Sequence, residues 1–230
     1  MPPRLTESNI AIELAPRARR TERRQRVVAA AFELATQGYA HCQMRAVAAA
    51  SGVAASTVYL YFPSKDDLLL ACLQQWLAEF DLAATPPRSD LSPHERLLAV
   101  ASELLGELAH VPQLAEAMVR PYLYSRGASV GAADAVRQQM TRIFLSAMDG
   151  SPSGVHQPMA ELFTDVCMTN IPAIAQRRTS VDQLVQHLAR AAALPMFVDG
   201  GGPARSVPHA KRVARQGSLT VLSSTIASGG

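Results

Sequence analysis

The segment "MRAVAAASGVAASTVYLYF", Met44 to Phe62, limits the fold more than any other part of this chain. It holds two short apolar stretches joined by a single glycine. Ala48 is small where two helices must cross closely. Four residues on, Gly52 occupies a turn where a positive φ penalises a side chain. Six further on, Val58 fills the space between the helices, beside Val47 and Val53. Each position has its own steric reason, and the interval predicts a helix-turn-helix.

The charge distribution agrees with a unit that grips a polyanion. The net charge is only +3. Residues 1–65 nevertheless carry nine Lys/Arg against four Glu, residues 66–199 nine against fifteen acidic groups, and residues 200–230 four against none. A cationic end on an acidic body fits a nucleic-acid-binding head attached to a part with another task. No apolar run reaches the roughly 20 residues of a membrane span, and the start of the chain lacks the apolar core of a signal peptide. The three cysteines, Cys42, Cys72 and Cys167, form no CxxC pair. No disulfide framework, metal site or cofactor is expected, and a reducing cytoplasm is the expected compartment.

Elsewhere the apolar spacing is helical and no strand is expected. The all-α reading has about nine helices. Residues 1–20 lack an apolar period and read as a disordered basic arm. Residues 21–65 form the helix-turn-helix head, with a first helix from Thr21 to Gln37. Residues 66–195 form a helical body for ligand binding and dimerisation, and 196–230 a disordered tail. Ser64, Ser92 and Ser180 are helix N-caps, Ser92 with Glu95 in a capping box. A kink is expected at Pro121 and an interruption at Pro172.

Between Ala54 and Phe62 there is no Arg, Lys, Asn or Gln, the side chains that commonly pair with base edges. Ala55, Ser56 and Thr57 are small enough for close approach to the groove floor. Thr57 and Ala55 present methyls to thymine, and Ser56 bonds several base edges. Arg45, on the preceding helix, is the candidate for a guanine. Gln43 either caps that helix or meets a phosphate. Tyr59, Tyr61 and Lys65 are candidates for phosphates. The basic run "PRARRTERRQR" either follows a groove or is a solvated helix start.

The stretch "TERRQRVVAAAFELATQGYAHCQMRAVAAASGVAASTVYLYFPSKDDLL" resembles the DNA-binding head of the TetR family of bacterial regulators. The motif residues are Gly38-Tyr39, Arg45 to Ala48, Gly52-Val53 and Thr57 to Lys65. The resemblance implies an Ω-shaped homodimer on an inverted-repeat duplex operator, mostly as a repressor released by a small molecule. Body segments "PQLAEAMVRPYLYSRGAS" and "DVCMTNIPAIAQRRTS" are similar to the actinobacterial repressors of cholesterol breakdown. This implies an effector of the steroid or fatty acyl coenzyme A thioester type. Pro172 departs from the uninterrupted helix usual there.

Met118 and Tyr122, then Met140, Phe144 and Met148, then Phe163 and Cys167 recur at helical spacing. Such a set either lines a pocket for a bulky apolar ligand or is plain core. Arg120 and Arg126 either meet phosphates of a coenzyme A or are surface charges. Leu162, Val166 and Ile174, with Val181, Leu184, Val185 and Leu188, are expected to pair with a second copy as a four-helix bundle. Catalysis is not expected. The six histidines are scattered, and no HExxH, GxGxxG, P-loop or GxSxG is present. The alternative is a DNA-binding regulator or activator without an effector pocket.

Overall fold

The computed structural model describes residues 7–83, 90–148 and 155–193. These contain helices α1 (Glu7–Ala35), α2 (Met44–Ser51), α3 (Ala55–Tyr61), α4 (Lys65–Ala83), α5 (Pro93–His110), α6 (Pro112–Tyr124), α7 (Val130–Ala147), α8 (His156–Ala175) and α9 (Val181–Ala192), and no strand. None of these helices is long and apolar enough to cross a membrane. The tail expected at 196–230 lies outside the described residues.

The head is α1 to α3 with the start of α4. Val27, Val28, Ala31 and Phe32 of α1 close over Val47 and Ala48 of α2 and over Val53 and Val58, all buried. Gly52 caps α2 in the left-handed region, at φ 65° and ψ 23°. The Val53 amide bonds back to the Ala48 carbonyl at 3.3 Å, so the turn closes on the residue whose small size lets the helices cross.

The first helix is a correction. Apolar periodicity predicts a start at Thr21, yet α1 begins at Glu7 and takes up most of the expected arm. The run 7–20 holds three Ala, three Arg and two Glu, whose helix propensity does not depend on an apolar face and here outweighs Pro16. Arg17, Arg19, Arg20, Arg23, Arg24 and Arg26 stand exposed along it.

α4 joins head to body. The Ser64 hydroxyl accepts from the Asp67 amide at 3.1 Å, and the Ser64 amide donates to the Asp67 carboxylate at 3.1 Å. Leu68, Leu69, Leu70, Leu73 and Leu77 are fully buried, and Trp76 and Phe80 nearly so. α4 is thus apolar on nearly every side, and it packs against α1, α6 and α7.

In the body, α6, α7 and α8 pack on one another and α5 lies against α8 and α9. Both Ser92 with Glu95 and Ser180 with Gln183 form complete capping boxes. Arg96, buried on α5, donates to the Ala147 carbonyl at the end of α7 and to the Leu91 carbonyl, each at 2.8 Å. Helix α6 continues through Pro121 and α8 through Pro172. In the turn before Pro172, Thr169 and Asn170 donate their side chains to the Asp165 and Val166 carbonyls. α8 ends at Ala175, and Arg177, just past the Gln176 C-cap, lies in the left-handed region at φ 56°. The Arg177 and Arg178 amides bond back to Ile174 and Ala173, the paired bonds of a Schellman stop.

No atom lies within 4 Å of a Cβ added at Gly52, so a side chain there meets only the backbone penalty. Gly52→Ala is expected to lower stability by ~1–2 kcal/mol, read as a shifted urea midpoint with an unchanged m-value.

Candidate nucleic-acid interface

On α2, Met44, Val47, Ala48 and Ser51 face inward, which leaves Arg45 exposed on the outer side. Gln43 sits at the N-cap of α2, but its side chain makes no capping bond and stays exposed. On α3 only Val58 is buried. Ala55, Ser56 and Tyr59 are exposed, while Thr57 and Tyr61 are half-buried. The small residues at the start of α3 therefore form an open surface, and Arg45 is exposed on the helix before it.

The aromatic end of α3 is tied to α1. The Arg24 guanidinium lies over the Phe62 ring at 4.9 Å, and that of Arg20 over the Tyr61 ring at 6.0 Å. Such contacts are worth ~0.5–1 kcal/mol at exposed sites. They also set a row of cations alongside α3, which the local sequence pattern does not reveal.

Lys65 is more constrained than its expected role as a free phosphate ligand. Its Nζ donates to the Tyr39 carbonyl at 3.1 Å and sits 3.5 Å from the centre of the Tyr39 ring. An ammonium has three donors, so the contact leaves others available but fixes the head of the side chain. The Tyr39 hydroxyl donates to Asp66 at 2.7 Å. Burial, then this carboxylate, pushes its phenol up to about 12. The Arg120 guanidinium of α6 approaches the same ring at 4.6 Å. Arg120 and Arg126 are both exposed, as the surface-charge alternative has it, and Arg120 in addition links body to head.

In the body, Met118, Met140, Phe144, Met148, Phe163 and Cys167 are fully buried. They converge from α6, α7 and α8, with Phe144 and Phe163 edge to face at 6.1 Å between centroids. Tyr122 is half-buried, and burial followed by nearby Asp165 raises its phenol. This set also holds a buried polar pair that apolar spacing does not reveal. Thr164 donates to the Ala160 carbonyl at 2.9 Å, which leaves Thr141 as donor in the 3.1 Å hydroxyl contact between the two. An open polar groove lined by Arg137, Gln138, Arg142, Gln157 and Glu161 lies outside Thr141, between α7 and α8. Arg137 spans that seam to Asp165 with two bonds, at 2.8 and 2.9 Å.

The expected dimer surface is only partly free. Leu184 and Leu188 are buried in their own chain, where α9 covers α5, and Ile174 is buried too. Helical amphipathicity alone cannot distinguish an internal neighbour from a second copy. Leu162, Val166, Val181, Val185 and Ala189 keep part of their surface.

Two family models match the two halves of this architecture. "Bacterial regulatory proteins, tetR family" covers residues 27–72, and "Tetracyclin repressor-like, C-terminal domain" covers residues 91–194. The HTH-type transcriptional repressor KstR of Rhodococcus jostii is 34% identical over 169 residues, 73% of this chain and 79% of that one. The chain belongs to the TetR family. KstR of Mycobacterium tuberculosis is likewise 34% identical, over 76% of this chain and 81% of its own. A TetR transcriptional regulator from Rhodococcus sp. RHA1 superposes with a TM-score of 0.68 at 28% identity, covering 76% of this chain and 96% of that one. FadR from Bacillus subtilis, solved in complex with stearoyl-CoA, shares the fold alone, at 16% identity and a TM-score of 0.51 over 76% of this chain and 98% of its own. As a TetR member the chain is a transcriptional regulator rather than an enzyme.

All three thiols are buried. Burial raises Cys42 to about 11 and Cys167 to about 12, and lifts Cys72 as well. Native protein at pH 8 is therefore expected to resist 5,5′-dithiobis(2-nitrobenzoate), with all three cysteines reacting once denaturant is added.

Proposed function

We propose that the chain is a ligand-responsive repressor that binds an inverted-repeat operator as a homodimer and leaves it when a bulky apolar effector enters the body. The observation that carries this reading is the joining of two unlike surfaces by α4. At one end stand exposed Arg45, Ala55, Ser56 and Tyr59, with Thr57 partly open and a cationic α1 beside them. At the other lies the Met- and Phe-rich interior of α6 to α8.

In this reading α3 enters the major groove. Ala55, Ser56 and Thr57 lie near base edges, and Arg45 pairs with a guanine. Gln43, Tyr59, Tyr61 and Lys65 hold phosphates, which position the head without specifying sequence. One head covers one half-site, so a palindrome requires two chains. The half-covered residues Leu162 and Val166 of α8 and Val185 and Ala189 of α9 suit a four-helix seam with a second copy. The KstR relatives are named as repressors, which favours repression over activation.

The effector reading draws on Met118, Tyr122, Met140, Phe144, Met148, Phe163 and Cys167. Methionine adapts to irregular shapes, so this set can open around a steroid or a long acyl chain. The body's resemblance to repressors of cholesterol breakdown favours a steroid or fatty acyl coenzyme A thioester. Effector binding shifts α6, and through α4 it changes the separation of the two heads. Such coupling requires that the effector favour one of two head spacings. A second reading, a regulator without an effector, is favoured by the full burial of six of these seven side chains.

Anisotropy titrations on a duplex selected by the wild-type protein test the DNA reading. Arg45→Ala is expected to lose ~1–3 kcal/mol of discrimination against a scrambled duplex. Tyr59→Phe is expected to weaken both duplexes alike. Equal discrimination by Arg45→Ala and wild type would remove Arg45 from base reading. Neutralising Arg19, Arg20 and Arg23 together is expected to reduce the salt slope by about 0.9 for each phosphate that is no longer neutralised. For the effector, thermal unfolding with a cholesterol-derived acyl-CoA, stearoyl-CoA and free coenzyme A separates the two readings. A rise in Tm with either acyl thioester, together with operator release, supports the ligand-gated repressor; no shift with any of them supports the effector-free regulator.

A further inference from the structure

Leu60 is 80% exposed on α3, more than any other exposed large apolar side chain among the described residues. A lone exposed leucine is ordinary on a protein surface. This one is set apart by its direction and its neighbours. An α-helix advances about 100° per residue. Measured from buried Val58, Ser56 and Leu60 therefore each lie about 20° from the line pointing straight away from the head core. They form the outermost line of the helix. Ser56 is short, so Leu60 is the longer of the two side chains on that line. No amide or cation on α3 competes with it. Arg45 and the exposed arginines of α1 supply the charge that draws a phosphate backbone against this face.

We propose that Leu60 is a base-reading residue whose target is the C5-methyl of thymine. This rests on the DNA-binding reading above and adds a specificity determinant to it. The major-groove edges of the four base pairs offer donors, acceptors and one apolar group, the thymine methyl. An isobutyl side chain has no polar partner to give, so it gains only where it can cover that methyl. Ser56 and Leu60 are one helical turn apart, about 6 Å along the axis. Base steps are about 3.4 Å apart, so the two residues meet base pairs nearly two steps apart. The hydroxyl reads one and the isobutyl group the other. Leu60 thereby supplies part of the selectivity that α3 lacks in polar readers.

The methyl can be removed from the DNA without changing any hydrogen-bonding group, by replacing thymine with deoxyuridine. The experiment starts from a random duplex pool selected on the full-length protein. Each thymine of the selected half-site is then replaced singly. One position per half-site is expected to weaken wild-type binding about fourfold on loss of its methyl. Leu60→Ala is expected to bind the thymine and uracil duplexes equally, and to select a pool without the thymine preference at that position. Because the side chain is exposed, Leu60→Ala should unfold at the wild-type Tm, so altered binding cannot be assigned to misfolding. If every thymine whose methyl matters in wild type stays equally methyl-sensitive in Leu60→Ala, so that the only sensitivity is that expected of Ala55 and Thr57, or if no thymine is sensitive in wild type, the assignment is overturned and the repressor reading stands. Failure of wild type to enrich any duplex at low salt removes that reading as well.

Discussion

The whole architecture depends on α4 having almost no free side. Consecutive leucines at 68, 69 and 70 are all fully buried. This is possible only where a helix has neighbours around its circumference. α1 covers one flank, and α6 and α7 cover others. Full burial of a Leu side chain is worth ~1.5–3 kcal/mol, so detaching the head would expose a large apolar surface. Head and body consequently share one continuous core. A packed seam of this kind shifts between discrete arrangements more readily than it deforms smoothly. α4 is thus both a weld and the natural carrier of any change passing between body and head.

A second, smaller contact reinforces the weld at the rim. The Tyr39 ring receives Lys65 from the start of α4 and Arg120 from α6, while its hydroxyl holds Asp66. One aromatic side chain of the head thus collects groups from the connecting helix and the body. Two cations on one ring would repel; the carboxylate of Asp66 offsets part of that cost. The arrangement places an electrostatic junction at the mouth of the apolar seam, where polar groups keep access to water.

Much of this is legible in the sequence because the informative positions have local causes. Gly52 marks its turn through its own φ preference, and Ser92 and Ser180 mark helix starts through residues three positions away. The all-helical class, the head and the apolar stripes follow from such short-range rules. What the pattern cannot show are partners chosen over long distances. Arg120 meets Tyr39 from another helix, Thr141 meets Thr164 across the α7/α8 seam, and Leu184 and Leu188 turn inward to α5. The start of α1 is hidden for a different reason, since propensity without an apolar face leaves no period to detect. The Met and Phe set shows a further limit: the same spacing serves a solid interior and one that opens. Leu60 carries no polar group, so rules built on amides and cations at base edges do not mark it.

The outward line of α3, Ser56 and Leu60, contains no group that titrates near neutrality. The cationic edge of α1, by contrast, would meet a duplex through charge. In the proposed reading, the grip of α1 and the choice made by Ser56 and Leu60 rest on different chemistry, while Arg45 brings one charged contact to the choice. On the proposed contacts, a rise in ionic strength weakens binding to every duplex through the arginines. The preference that the uncharged residues of α3 would express for one duplex over another depends less on salt, so on the proposed contacts selectivity outlasts a fall in affinity.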